Sequence, residues 1–238
     1  MEIQPDHIFK KQVLQIAGYS GISIAIAYVF NTIAYTISGF PLPERATDWV
    51  IYLEGKTALW WTIIWLSIIT NILYLPFTYG LYEFLKKTHK TLALISGGLF
   101  SLFVFLELAI TWTAYPTIIE LFKKYKLTEV GLEQERILSS IQYASAVFQT
   151  PVASFYFIIV PSLAALFASF TLLKSREFGK ALPWIGFISG VCNIVSVFGG
   201  YIASPLKAMV VPGSFLILFW FGGIGIKLIN ISKNNNHN

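Results

Sequence analysis

Residues 91–115 read TLALISGGLFSLFVFLELAITWTAY, an apolar stretch of helix length with a single carboxylate, Glu107, near its middle. A helix needs about 20 predominantly apolar residues to cross a bilayer. A charged side chain at bilayer depth costs about 2.5–3.5 kcal/mol on insertion scales. We therefore expect this stretch to span a membrane, with Glu107 facing the protein interior and either hydrogen-bonded or protonated.

The composition of the whole chain is typical of a membrane protein. Of its 238 residues, 55% are hydrophobic and 12% are charged, which is about half the charged share of a soluble domain. Six stretches are long and apolar enough to span, at approximately 12–38, 57–82, 91–115, 148–173, 181–204 and 208–226. All six should be helices, because lipid offers no partner to an unpaired backbone group. We predict an all-α, polytopic integral membrane protein: a helical bundle of six transmembrane helices, with residues 1–238 forming one membrane domain.

The longest connection between these stretches also has a helical pattern. Leu132, Ile137 and Ile141 recur at helical spacing opposite acidic residues. We predict an extramembrane helix over about 127–147 that continues into the fourth span.

The basic residues predict an orientation in the cell membrane. The N-terminal segment, the 83–90 and 174–180 connections and the tail together hold ten Lys and Arg and four acids, whereas the opposite side holds seven of each. Cytoplasmic loops are the ones enriched in Lys and Arg, so both termini should be cytoplasmic. The net charge of +5 comes from short clusters beside apolar stretches, as in membrane loops. We therefore expect membrane lipid as a partner and no nucleic acid.

Polar side chains recur on one face of several spans. With a rise of about 1.5 Å per residue, several of them fall at a depth similar to that of Glu107. The candidate ligand-binding residues are Glu107, Tyr28, Asn31, Ser67, Asn71, Thr111, Tyr156 and Asn193. The alternative is helix packing, because Ser, Thr and Asn are common at helix–helix contacts.

Metal-ligating residues are scarce within the spans. His7, His89 and His237 lie outside them, no Asp lies inside one, and Cys192 is the one cysteine of the chain. This pattern removes most metal-ligand sets, every His-assisted nucleophile and a disulfide framework. We expect no metal site and no cofactor, and the sequence identifies no catalytic residue.

Two basic turns resemble those of a known family. Residues 81–94 read LYEFLKKTHKTLAL, the following span carries an acid, and residues 174–190 read KSREFGKALPWIGFISG. This combination resembles a family of bacterial and archaeal six-span membrane proteins known only as domain of unknown function 4386. The resemblance implies an architecture and no particular activity.

The leading functional hypothesis is binding or transport of a small amphipathic or lipid-like molecule in an intrahelical pocket around Glu107. One alternative is a membrane-embedded enzyme that uses Glu107 as acid or base, which is less favoured because a carboxylate among tyrosines is a weak signature. Another is a structural or assembly subunit without a ligand. The sequence leaves the oligomeric state open.

Overall fold

The computed structural model describes residues 5–39 and 42–234, with side chains from residue 9 onward. Every regular element in these ranges is a helix. The α-helices are α1 (Pro5–Ser38), α2 (Ala46–Leu53), α3 (Thr57–Leu106), α4 (Trp112–Leu127), α5 (Leu132–Ala146), α6 (Pro151–Ser154), α7 (Val160–Leu173), α8 (Ala181–Ile202) and α9 (Val210–Asn234). Four short helical segments remain: two are π-helices (Glu107–Thr111 and Phe155–Ile159) and two are 3₁₀-helices (Val147–Gln149 and Ser204–Met209). The predicted class, an all-helical membrane protein, is confirmed.

Helix α3 is a hairpin of two limbs. His89 interrupts it with φ −156° and ψ 90°, values outside the helical region. The rings of Tyr74 and Phe100 lie 5.9 Å apart, although a straight helix would separate residues 26 positions apart by about 39 Å. The chain therefore reverses at His89, and residues 57–88 pack beside residues 90–106.

Five helical stretches in the described part of the chain are long and apolar enough to cross a membrane. They are Phe9–Ser38, Thr57–Leu127, Pro151–Leu173, Ala181–Ile202 and Ser204–Asn234. The second has 71 residues, about 106 Å of helix, against a hydrocarbon core of about 30 Å. The number of predicted crossings, six, differs from these five stretches because two of the predicted crossings lie within Thr57–Leu127, and the reversal at His89 favours two crossings there.

The centre of the bundle packs α1, α3, α7 and α9 around aromatic rings. Phe77 and Trp220 are each buried against Phe221, with ring centroids 5.1 Å apart in both pairs. Small residues allow the helices to approach closely around this cluster, as in other membrane bundles. A Cβ atom on Gly225 would lie 2.5 Å from the carbonyl oxygen of Gly18. Helices α1 and α9 therefore touch backbone to backbone.

A second cluster joins α2, the start of α3, α4 and α5 at one end of the bundle, called here the α5 end. The Trp60 ring lies 4.8 Å from that of Tyr115 and 6.3 Å from that of Trp49. Gln142 of α5 accepts a 2.8 Å hydrogen bond from the Ala46 backbone N–H. These contacts attach α5 to the start of α2. The opposite end, where α3 reverses, is called the His89 end.

The helix predicted near 127–147 is observed over Leu132–Ala146, but its predicted continuity with the fourth span is wrong. Thr150 is extended, with φ −82° and ψ 147°, because a residue before proline is displaced from the helical region. The Thr150 hydroxyl oxygen then accepts a 3.3 Å hydrogen bond from the Ala153 N–H and begins a new helix at Pro151. The third span also differs from its prediction, because helix α4 continues it to Leu127. An extramembrane position for α5 stays a prediction.

Candidate functional site

A cavity of about 840 Å³ lies between the helices, on the α5 side of the aromatic core. Each of the six predicted spans contributes to its wall. The polar and tyrosine or tryptophan side chains in the wall are Tyr28, Asn31, Thr32, Tyr35, Thr36, Ser67, Thr70, Asn71, Tyr74, Glu107, Trp112, Tyr115, Ser162, Ser189, Asn193 and Ser214. Most of the other lining side chains are aliphatic or phenylalanine, so the cavity is apolar with a limited set of polar groups.

The structure brings six of the eight candidate residues to this cavity. They are Tyr28, Asn31, Ser67, Asn71, Glu107 and Asn193. The other two, Thr111 and Tyr156, do not line it. Their hydroxyl groups are buried, neighbour each other and have no hydrogen-bond partner in the described structure.

Glu107 is 4% exposed and begins a π-helical turn. The backbone N–H of Trp112 donates a hydrogen bond to the backbone carbonyl oxygen of Glu107, five residues back, which is the π-helical pattern. Downstream, Pro116 has no N–H for the Trp112 carbonyl four residues before it. The indole N–H of Trp112 neighbours the Glu107 carboxyl group, but in the described part of the chain neither side-chain atom Oε1 of Glu107 nor Nε1 of Trp112 has a hydrogen-bond partner of good geometry. The wall therefore holds a buried carboxyl group with an unused acceptor.

The π turns explain which residues reach the cavity. In a regular helix the residue that sits above Glu107 one turn later is Thr111, as the sequence pattern predicts. The extra residue of the π turn gives that place to Trp112, which lines the cavity. On the fourth span, which contains the second π turn (Phe155–Ile159), Phe157 lines the wall and the predicted Tyr156 does not. π turns of this kind are frequent at functional sites.

Hydrogen bonds between α1 and α3 fix one wall. The hydroxyl oxygens of Tyr28 and Tyr74 lie 2.8 Å apart and share a hydrogen bond. One turn further along α1, Asn31 Nδ2 donates to Ser67 Oγ at 3.0 Å. This bond uses the amide nitrogen and leaves Asn31 Oδ1 without a partner in the described structure. The wall is thus preorganised, with one acceptor unused.

The opposite wall is formed where α8 meets α9. Ser189 Oγ donates to the Gly213 carbonyl oxygen at 2.7 Å. A Cβ atom on Gly213 would overlap Asn193 Oδ1, so only glycine allows this approach. Asn193 Oδ1 is buried and has no hydrogen-bond partner among the described residues. Ser214, next to this contact, lines the cavity.

Part of the wall is exposed to the surroundings of the bundle. Val29 of α1 is 47% exposed and Phe215 of α9 is 57% exposed, and both line the cavity. Nearer the His89 end the same two helices touch through Gly18 and Gly225. Helices α1 and α9 therefore separate towards the α5 end, where the cavity lies against their exposed faces.

The charge in the cavity wall is acidic. Among the described residues that line the cavity, Glu107 is the one acid, and none of them is Lys, Arg or His. Within the described residues, no three His, Cys, Asp or Glu side chains gather as metal ligands would. The arrangement can accept hydrogen bonds from a ligand or hold a proton on Glu107.

Comparison with known families matches residues 16–225 to a domain of unknown function, DUF4386. The chain belongs to this family. The matched range runs from α1 to α9 and includes all eight candidate residues, so the cavity lies within the DUF4386 domain. Comparison with curated proteins and with solved structures gave no match.

Several cavity residues of this DUF4386 protein were absent from the sequence prediction. Trp112 and Tyr115 were missed because the π turn changes which residues follow Glu107 on its face. Ser162 was not predicted because it lies in an otherwise largely apolar helix. Ser214 was not predicted because it is the one polar lining residue of α9 and so forms no polar stripe. The sequence Pro-Gly-Ser at 212–214 was the available signal, because Gly213 marks a close helix contact.

Proposed function

We propose that this DUF4386 protein binds a small amphipathic or lipid-like molecule in the cavity around Glu107. The observation that carries the proposal is a buried carboxyl group, with an unpartnered oxygen, in the wall of a cavity of about 840 Å³. Small-molecule sites have volumes of about 300–1,000 Å³ and are mostly apolar, with few placed polar groups. An acid at membrane depth is also a functional candidate by default.

The exposed faces of α1 and α9 support entry from the bilayer. Val29 and Phe215 would face lipid and lie in the cavity wall. A ligand with an apolar tail could enter there and place its polar group at Glu107. Towards the His89 end the core is filled by Phe77, Trp220 and Phe221. Binding is therefore the step that the arrangement supports, and transport would require this aromatic core to open.

The rival hypotheses have weaker support. Acid–base catalysis would be favoured by a hydrogen bond between Glu107 and a tyrosine, but Oε1 of Glu107 has no such partner. The nearby Tyr28 and Tyr74 hydroxyls bond to each other. A purely structural role would be favoured by a filled interior, whereas Glu107 lies beside a cavity.

Mass spectrometry of molecules that co-purify with the protein tests this proposal. We expect a defined small molecule with the wild-type protein, absent from Glu107→Leu, because leucine removes the polar anchor. Glu54→Gln is the matched control, since Glu54 is an exposed acid at the α5 end, paired with Lys126 and outside the cavity. Each variant must elute as a monodisperse species with wild-type melting. Equal retention by wild type and Glu107→Leu would contradict the proposed site.

A further inference from the structure

Three buried acceptors in the cavity wall have no hydrogen-bond donor. They are Asn31 Oδ1, Glu107 Oε1 and Asn193 Oδ1. They come from α1, the first π turn and α8, so they surround the cavity. A buried acceptor without a partner costs folding free energy, which a donor on a ligand would recover. One buried donor of the wall, Trp112 Nε1, also has no partner among the described residues. Acceptors therefore outnumber donors among the unpartnered groups of the wall, which favours a ligand that donates hydrogen bonds or carries a positive charge.

Aromatic rings from several helices add to this preference. Tyr28, Tyr35, Tyr74, Phe103, Trp112 and Tyr115 all line the cavity. The face of an aromatic ring attracts a cation, and this attraction is stronger when the cation is desolvated. No Lys, Arg or His of the described residues lines the wall, so no cationic side chain described there lies on these rings or pairs with Glu107.

We propose that the ligand is a lipophilic organic cation whose positive head group lies against Glu107, with its apolar part in the aromatic cavity. This inference rests on the proposed function and specifies its ligand class. An anion would meet a carboxyl group and two amide oxygens. A neutral lipid would leave the aromatic sites unused and Glu107 protonated.

Cation binding at this site is coupled to proton release. Without a cation nearby, a buried carboxyl group favours its neutral form. An arriving cation displaces that proton to water. The net charge of the cavity is then unchanged, because the cation pairs with the ionised carboxylate. The other titratable side chains near enough to interact with the charge of Glu107 are Tyr28 and Tyr35 of α1, Tyr74 of α3, Tyr115 of α4 and Tyr156 before α7. Tyrosine ordinarily titrates near pH 10, and α8 and α9 place no titratable side chain in the wall. Glu107 is thus the group that exchanges its proton.

Equilibrium dialysis of the full-length protein in detergent against three triaryl or tetraaryl probes tests the inference. The probes are tritiated tetraphenylphosphonium, the anion tetraphenylborate, which has a similar shape, and neutral triphenylmethanol. We expect saturable binding of tetraphenylphosphonium that weakens as the pH falls, with release of a proton into a weakly buffered solution. Glu107→Gln should weaken binding by about thirtyfold or more, the effect of removing one partner of a desolvated charge pair, and should abolish proton release. Glu54→Gln should bind as wild type does.

The outcomes separate this inference from the proposed function. Binding of triphenylmethanol or of a co-purified neutral lipid, without tetraphenylphosphonium, would overturn the inference and leave the proposed cavity site intact. Equal binding of the phosphonium and the borate, or unchanged phosphonium binding by folded Glu107→Gln, would also overturn it. No binding of any probe, together with no co-purifying molecule, would overturn both.

Discussion

Gly80 of α3 lies against α1 so closely that one methyl group should loosen the bundle. A Cβ atom there would overlap the Ala17 Cβ and lie 3.1 Å from the Val13 carbonyl oxygen. Overpacking of this kind costs about 1–3 kcal/mol. Gly98, in the other limb of α3, is the matched control, because its Cβ would meet nothing within 4 Å. Both Gly→Ala changes gain the same helix propensity, about 1 kcal/mol, so the difference between them isolates the overlap.

Thermal unfolding in detergent measures this difference. At about 2–4 °C per kcal/mol for a chain of this size, Gly80→Ala should melt about 2–12 °C below Gly98→Ala. Ala17→Gly removes the atom that the new methyl group would strike, so the double variant Ala17→Gly/Gly80→Ala should recover stability, with a coupling energy of about 0.5–3 kcal/mol. Equal melting of Gly80→Ala and Gly98→Ala, or the absence of coupling with Ala17→Gly, would refute the close contact between α1 and α3.

Three further predictions concern orientation, protonation and the α5 end. Cysteine labelling from the cytoplasm should modify positions 87 and 176 (Lys87→Cys and Arg176→Cys), and labelling from outside should modify Lys124→Cys, because connections rich in Lys and Arg are expected on the cytoplasmic side; reversed accessibility would show the predicted orientation to be wrong. Infrared titration of the ligand-free protein should show Glu107 protonated at pH 7, because no cation lines its cavity; an ionised carboxylate band that disappears in Glu107→Gln would contradict this. Backbone hydrogen exchange should be slow in Leu132–Ala146, whose apolar side packs on α2 and α4, and fast at Thr150, where the helix is interrupted; uniformly fast exchange through α5 would count against its packing.

Individual residues show how far the sequence predicts the site. Tyr28, Ser67, Glu107 and Tyr156 were predicted to lie at one depth from the helical rise alone, and the first three line the cavity. Periodicity succeeds for them because each side chain repeats at a fixed angle along an uninterrupted helix. It fails for Trp112, because this residue belongs to a face shifted by a π turn that no periodic pattern contains.

The sequence by itself determined that this is a helical membrane protein, because apolar length and the need to pair every backbone group leave few alternatives. It also indicated the reversal between the second and third spans, where the basic residues around His89 interrupt the apolar pattern. Only the tertiary structure decided that the polar stripes enclose a cavity, because that depends on where the helices touch and where they separate. Helices α1 and α9 meet at Gly18 and Gly225 and leave space beside Val29. Such separations depend on side-chain contacts between segments that are distant in the sequence, and these contacts cannot be predicted from the properties of a single segment.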